Sequence, residues 1–285
     1  MIDRAYYIVS PPYAHCCGGI RALHELNRLL GERGLVSMLS CDAPHIPAWR
    51  DNAVVVYPEI VKGNPLGFRH VARWDLYFPA HQYTANEVVF AFDELYRARG
   101  SQAPPENILG MVLAEEFFRE AVSGQSSVVS GGRTKRCFWR GKGAATPLVA
   151  ETAGCIEITT AWPATRLELA KLFQESEVFY SYDNFTALIA EARLCGCPVV
   201  LIPSAQIRPD QWLSKHGSLG VIFLGDGRTL DDARRTLPEF RSRWLAFKGE
   251  ASRQLDHFIE VTQRADRPYI EDVQPVPEGW RGWVR

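Results

Sequence analysis

The stretch Tyr182–Glu191 carries the side chains best suited to chemistry, since it lies where a strand-like run becomes a helix-like pattern. Asp183 and Glu191 are eight positions apart, which is roughly 12 Å along a helix with an azimuthal offset of about 80°. Such carboxylates could bind hydroxyls at opposite ends of a nucleotide sugar, while the amides at the helix start favour its diphosphate. The structural alternative is that Asp183 caps the helix and Glu191 is a solvated helix residue.

A second candidate is the basic glycine turn Arg140-Gly141-Lys142-Gly143, which follows another strand-like run. Cations on such a turn suit a diphosphate leaving group, because its negative charge grows in the transition state. The turn lacks both the complete P-loop pattern and the glycine fingerprint of dinucleotide-binding proteins. An ordinary exposed basic turn is the alternative interpretation.

The first half of the chain offers two further candidates. Gly18 and Gly19 lie between a predicted strand and a predicted helix, where a backbone without side chains can approach a ligand. A plain tight turn would explain the same glycines. His81 follows a predicted strand at Leu76–Pro79 and could bond a donor hydroxyl or a carbonyl. A structural or surface histidine is the alternative there.

Seven cysteines occur at irregular spacings. The adjacent Cys16 and Cys17 cannot easily chelate one zinc ion together, and no second pair has suitable spacing. Cys195-Gly196-Cys197 is interpreted as packing at a helix end. We therefore predict reduced thiols and no metal site.

Composition narrows the class of protein. The 285 residues are 46% hydrophobic and 23% charged, with a formal net charge of −1. The chain can therefore form hydrophobic cores, and it lacks the basic excess typical of nucleic-acid binders. No apolar run approaches the ~20 residues of a membrane span, and Met1–Ser10 lacks the apolar core of a secretory signal. We expect a cytoplasmic protein that reaches a membrane, if at all, from its surface.

The elements that must position these residues alternate between strands and helices. We predict a helix with Ile20, Leu23, Leu26 and Leu30 on one face, a helix opened by a capping box at Thr165–Glu168, and a helix from Asn184 or Phe185 to about Cys195. A further helical region is predicted at Leu230–Arg264 with a break at Pro238, followed by an extended tail. Strands are predicted at Tyr6–Val9, Val36–Leu39, Ala53–Tyr57, Leu76–Pro79, Val88–Phe92, Arg136–Arg140, Ile156–Thr160, Val178–Tyr182, Val199–Ile202 and Val221–Leu224.

This alternation predicts an α/β protein with parallel sheets. Ser123–Gly132 is the best linker, and the strand-helix alternation restarts after it. In open parallel sheets ligands bind at the carboxyl ends of the strands, so the segments at Arg140 and Tyr182 are expected at such an edge.

Taken together, these segments resemble the GT-B glycosyltransferases, in particular those with a family-four-like nucleotide-binding lobe. The match is specific in Thr165–Ile202, where Asp183 and Glu191 fit an acidic-x7-acidic helix and Glu191–Val200 fits the pattern EA-x-x-x-G-x-P-V. Tyr57–Leu66 and Arg73-Trp74 are also similar, so the resemblance extends over most of the chain.

The resemblance implies that Glu191 holds the donor ribose and that Lys142 lies near the diphosphate. Asp183 stands where the family commonly has Glu, one methylene longer. The predicted catalytic residues are Lys142, Glu191 and His81. The predicted donor-binding residues are Gly18, Gly19, Arg140, Lys142, Tyr182, Asp183, Asn184, Phe185, Thr186 and Glu191.

We therefore expect two Rossmann-like lobes with a cleft between them. Residues 1–125 form an acceptor-side lobe, residues 126–250 form a nucleotide-sugar-binding lobe, and residues 251–285 form a helix and tail that could return to the first lobe. The expected activity is transfer of a sugar from a nucleotide sugar to a glycan, lipid-linked or small acceptor. The resemblance further implies no metal and no cofactor, retention of anomeric configuration, and a place in polysaccharide biosynthesis.

Two other functions remain open from the sequence. One is a catalytically silent nucleotide-sugar-binding subunit of a glycan-assembly complex. The other is a dinucleotide-dependent oxidoreductase, against which the missing glycine fingerprint argues.

Overall fold

The computed structural model describes residues 4–15, 17–43, 45, 47–98, 100–113, 132–203, 209–264 and 269–270. Packing divides the chain into two compact units. The first unit comprises Met1–Ala14, Gly19–Val112 and Lys248–Arg285, and the second comprises His15–Gly18 and Leu113–Phe247. Each unit contains a five-stranded parallel sheet. The predicted α/β class with two Rossmann-like parallel sheets is thereby confirmed.

The first unit is built on a sheet with the strand order β2-β1-β3-β4-β5. Helix α1 (Gly18–Glu32) connects β1 to β2 and buries Leu23, Leu26 and Leu30, as its apolar spacing predicts. Helix α2 (Glu94–Ala98) follows β5. The strands are β1 (Ala5–Ile8), β2 (Ser37–Leu39), β3 (Ala53–Pro58), β4 (His70–Asp75) and β5 (Val88–Ala91).

The prediction of a strand at Leu76–Pro79 is wrong, because β4 ends at Asp75. The sequence pattern of β4 was not recognised because the strand contains Arg73. The side chain of Arg73 is fully buried and pairs with Glu87 at 2.8 Å. The same guanidinium donates to the carbonyl oxygen of Val61 at 2.7 Å. A buried, fully bonded arginine interrupts the hydrophobic run from which strands are recognised.

The second unit is built on a sheet with the strand order β10-β9-β8-β6-β7. The predicted capping box is confirmed: the Thr165 side chain accepts from the Glu168 amide, and the Glu168 carboxylate accepts from the Thr165 amide. The strands are β6 (Lys135–Trp139), β7 (Ile156–Ile158), β8 (Ser176–Ser181), β9 (Val199–Leu201) and β10 (Val221–Phe223). The helices are α3 (Arg166–Glu175), α4 (Leu188–Leu194), α5 (Pro209–His216) and α6 (Leu230–Thr262).

Helix α4 begins at Leu188 rather than at Asn184 or Phe185. The carboxylate of Asp183 accepts a hydrogen bond from the Phe185 amide at 3.1 Å. Such a local bond from an aspartate two residues upstream favours a turn over a helix. Asp183 is therefore not the helix cap, and the first helical turn starts later than the sequence pattern indicates.

Helix α6 runs unbroken through Pro238, so the predicted break is wrong. A proline inside a helix removes the hydrogen bond to the carbonyl four residues earlier, here that of Arg234. Leu237 and Phe240 are buried on either side of the proline, and this packing holds the helix together. No helix of the described ranges is both long enough and apolar enough to cross a membrane.

One of the two predicted segment boundaries falls among the described residues. The boundary at residues 125–126, most of the Ser123–Gly132 linker and the tail from residue 271 onward lie outside the described residues. The boundary at residues 250–251 falls inside α6.

Replacing Pro238 by alanine should stabilise the protein. Alanine restores the missing amide donor and removes the ring, so we expect Pro238→Ala to raise the free energy of unfolding by about 1–3 kcal/mol in urea titrations. Ser242→Ala, at an exposed position one turn later, is the control for helix propensity and should change stability by about 0.5 kcal/mol or less. A less stable Pro238→Ala protein would contradict a continuous helix.

Candidate functional site

The carboxyl edge of the second sheet brings two predicted segments together. Strands β6 and β8 are parallel neighbours, with Trp139 opposite Ser181. The chain passes from β6 outward to β7 and then returns to the other side of β6, so the strand order reverses at this pair. Open parallel sheets bind ligands at such a switch point. We call residues 140–146 the β6 loop and residues 182–187 the β8 loop.

Asp183 bonds the two loops to each other. Its side chain is only 4% exposed, and its Oδ2 accepts from the Lys142 amide at 3.2 Å. Its Oδ1 accepts from the Phe185 amide within the β8 loop. Because the Asp183 carboxylate accepts hydrogen bonds from backbone amides of both loops, it fixes the distance between them. Asp183 thus has a structural role in addition to its predicted donor contact.

Two glycines of the β6 loop allow this close approach. A Cβ on Gly143 would lie 2.1 Å from the carbonyl oxygen of Tyr182. Gly141 has a φ of 46°, and a Cβ there would lie 2.6 Å from Oδ2 of Asp183 and 2.2 Å from Nε1 of Trp139. Only glycine fits at either position, so the close approach of the two loops depends on the backbone of this turn.

The two cations of the β6 loop are used differently. Arg140 donates to the carbonyl oxygens of Ala144 and Thr146, the latter at 3.3 Å. Its guanidinium therefore braces its own loop, and its direct donor contact stays a prediction. Lys142 is exposed, so its ammonium group is the cation of this loop that lies at the protein surface.

Tyr182 is anchored inside the second unit. Its hydroxyl accepts from the Val149 amide at 2.9 Å and shares a 2.9 Å hydrogen bond with Oγ1 of Thr152. The side chain is almost fully buried. The hydroxyl of Tyr182 holds the chain after β6 in place, and its donor contact stays a prediction.

The three residues predicted to present amides to phosphate are also engaged within the fold. The Phe185 amide donates to Asp183. Asn184 is buried, and its carbonyl oxygen accepts from Nε1 of Trp212 at 2.8 Å. Oγ1 of Thr186 accepts from the Leu188 amide at 3.3 Å, at the start of α4. The β8 loop is therefore a tightly bonded turn ahead of a short helix.

Glu191 is buried and paired, contrary to the alternative of a solvated residue. Its carboxylate binds Arg166 through two contacts, Nη2–Oε1 at 2.6 Å and Nη1–Oε2 at 3.0 Å. Nη1 of Arg166 also donates to the carbonyl oxygen of His15 at 3.2 Å. The sequence analysis did not identify Arg166. Its position directly after the capping threonine, on the helix that precedes β8, was the available signal.

The two N-terminal glycines have different surroundings. Gly18 belongs to the second unit, where a Cβ would lie 3.3 Å from Cβ of Ala187 in the β8 loop. Gly19 belongs to the first unit, where a Cβ would lie 3.7 Å from the side chain of Leu76. Gly18 is thus the glycine that the second unit holds beside the β8 loop.

His81 lies in the first unit, whereas Lys142 and Glu191 lie in the second. It is half-buried, with its ring edge-on to Tyr83 at 5.1 Å between centroids. The Tyr83 hydroxyl donates to Asp75 at the end of β4. His81 therefore lies six residues after the end of β4. It packs against Tyr83, whose hydrogen bond to Asp75 the sequence did not reveal.

The buried cysteines are poorly suited to chemistry. Burial raises the pKa of Cys137 to about 12 and also raises the pKa of Cys195 and Cys197, which leaves these thiols protonated and unreactive. Within the described ranges, no three His, Cys, Asp or Glu side chains are grouped so that they could hold a metal ion.

Solved structures that match the chain include three glycosyltransferases. SnogD from Streptomyces nogalater is 14% identical, over 92% of this chain and 100% of that protein, with a TM-score of 0.41. WaaG, a glycosyltransferase involved in lipopolysaccharide biosynthesis, is 9% identical over 93% and 96%, with a TM-score of 0.41. The E. coli ADP-heptose lps heptosyltransferase II is 12% identical over 84% and 99%, with a TM-score of 0.29.

These proteins belong to the class that the sequence resembles, and at such identities and TM-scores they assign no activity to this chain. No family model matches the chain, and no curated protein matches it.

Gly143→Ala should destabilise the second unit. Because the new methyl group would overlap the Tyr182 backbone, we expect the free energy of unfolding to fall by about 1–3 kcal/mol or more, measured by urea denaturation. Gly31→Ala is the matched control, since a Cβ there would meet no atom within 4 Å. That variant should be as stable as the wild type or more so. A Gly143→Ala protein of wild-type stability would contradict the close approach of the two loops.

The Asp75→Asn variant should gain stability relative to the wild type as the pH rises. Burial raises the pKa of Asp75 above its ordinary value of 3.8. Below pH 3.8 the Asp75 carboxyl is protonated in both the folded and the unfolded state. Above that pH it ionises first in the unfolded state, so the wild type loses stability as the pH rises. The loss ends once the carboxyl has ionised in the folded state too. The stability gained by the variant should therefore grow as the pH rises above about 4 in urea titrations. A pH-independent difference would contradict the raised pKa.

Proposed function

We propose that the chain is a glycosyltransferase, which moves a sugar from a nucleotide-sugar donor to a glycan, a lipid-linked molecule or a small acceptor. The observation that carries the proposal is the meeting of the β6 and β8 loops where the strand order of the second sheet reverses. This is the position at which open parallel sheets bind nucleotides. The segments found there are those through which the sequence resembles the GT-B enzymes.

Lys142 supplies the main charge stabilisation in this proposal. When the bond between sugar and diphosphate breaks, negative charge grows on the departing diphosphate. A nearby ammonium group stabilises that charge more in the transition state than in the ground state. The proposed reaction needs no metal ion and no cofactor, and the resemblance suggests that it retains the anomeric configuration.

The remaining predicted residues take supporting roles in the proposal. Glu191 accepts hydrogen bonds from the donor ribose, and Gly18 forms part of the wall that faces the donor. Asp183 acts mainly by holding the two loops together. His81 is proposed to bond a donor hydroxyl or a carbonyl.

Nucleotide binding is the first test. Thermal shifts of the purified chain with UDP, GDP, CMP and dTDP should identify a stabilising nucleotide, because a ligand that binds the folded state raises its stability. The matching nucleotide sugars are then assayed for nucleotide release with a panel of acceptors. Binding without turnover would favour the silent-subunit alternative, and no binding by any nucleotide would contradict both.

Lys142→Ala should lower turnover without weakening the fold. Loss of one group that stabilises the leaving charge typically costs about 10²- to 10³-fold in kcat, and the exposed side chain contributes little to stability. Lys171→Ala, at an exposed position on α3, is the matched control and should retain wild-type kcat. Wild-type kcat in Lys142→Ala would remove the proposed role.

A further inference from the structure

We infer that Arg166 is a positioning residue for ribose recognition: it fixes the Glu191 carboxylate so that the site selects ribonucleotides over 2′-deoxyribonucleotides. The inference rests on the proposed function, in which Glu191 binds the donor ribose. Arg166 itself is not proposed to contact the donor.

The pair meets at two points: Nη1 of Arg166 donates a hydrogen bond to Oε2 of Glu191, and Nη2 lies in ion-pair contact with Oε1. Two nitrogens of the guanidinium meet two oxygens of the carboxylate, at 2.6 and 3.0 Å. Both side chains are more than nine-tenths buried, with 8% of Arg166 and 2% of Glu191 exposed. A planar guanidinium bound in this way restricts both rotation and translation of the carboxylate, which a lysine ammonium group cannot do.

Arg166 is itself held in place from two sides. It is the first residue of α3, directly after Thr165, whose capping box fixes the start of that helix. Its Nη1 also donates to the carbonyl oxygen of His15, and the His15 ring bonds the carbonyl oxygen of Pro163 at 2.8 Å. One guanidinium therefore connects α3, α4 and the segment His15–Gly18 within the second unit.

This connection lies close to the β8 loop. Gly18, three residues after His15, packs against Ala187, which is the residue before α4. Glu191 is in the first turn of α4. A carboxylate can accept about four hydrogen bonds, so one group can bind an arginine and ribose hydroxyls together. The position of the carboxylate relative to the β8 loop is then set by Arg166.

A purely structural ion pair is the competing explanation, and the protein contains such a pair for comparison. Arg73 and Glu87 in the first unit are also more than nine-tenths buried, with an Nη2–Oε1 distance of 2.8 Å. Arg73 also donates to backbone carbonyl oxygens, as Arg166 does. Arg73→Lys thus removes a buried arginine–glutamate contact of the same kind from the first unit, and it is the matched control.

The experiment compares ribo- and deoxyribonucleotides. Dissociation constants are measured by calorimetry for UDP, GDP and ADP, each beside its 2′-deoxy counterpart. For the nucleotide that binds, the wild type should prefer the ribo form by about tenfold, as expected for one hydrogen bond to a charged group. In Arg166→Lys this ratio should fall to about two or below, while the deoxy form binds within about twofold of wild type.

Arg73→Lys should keep the wild-type ratio even where its melting temperature falls as far as that of Arg166→Lys. Glu191→Gln, which keeps the shape of the side chain, gives a second variant in case Arg166→Lys does not fold, and its ratio should fall in the same way. A wild-type ratio in Arg166→Lys, or in Glu191→Gln, would overturn the inference and leave nucleotide binding intact. Absence of binding by these diphosphates and by every nucleotide of the thermal-shift panel would overturn the proposed function as well.

Discussion

The close contact between the β6 and β8 loops is the constraint on which the candidate site depends. Two strands that are neighbours in a sheet bring their following loops near each other, but contact at backbone distance requires that side chains be absent. Gly141 and Gly143 meet that requirement, and the Asp183 carboxylate then bonds the amides of both loops. Several residues with apparently chemical side chains, such as Tyr182 and Arg140, serve to hold this arrangement. The surface that remains for a ligand is therefore defined by backbone and by few side chains.

Each unit also contains a buried arginine–glutamate pair, and neither pair was recognised from the sequence. Breaking such a pair is costly because it leaves a buried charge without its partner. Arg73 organises the chain around β3, β4 and β5, and Arg166 connects three segments of the second unit. In both cases the arginine bonds backbone carbonyl oxygens besides its carboxylate, so it fixes loops as well as a side chain.

Much of the architecture could be predicted because it follows local patterns. Apolar strands, the α1 stripe and the Thr165 capping box each carry their signal within a few residues. Apart from the strand predicted at Leu76–Pro79, the structure contains them. The predictions failed where distant contacts decide the outcome. β4 includes a buried arginine, α6 passes through a proline, and Asp183 delays the start of α4. The roles of Tyr182 and Arg166 depend on partners far away in the sequence, which no local pattern reveals.

Because α6 contains residues of both units, it constrains the order in which the two units can fold during synthesis. The helix starts in the second unit and ends in the first, where Thr262 bonds Tyr6 and Gln263 bonds Arg4 on and beside β1. The first unit is therefore assembled from segments on both sides of the second. During synthesis on a ribosome, the second unit has all of its residues before the first unit receives its last helix. Contrary to the usual N-terminal-first order, the fold of the first unit must stay incomplete until that late segment emerges.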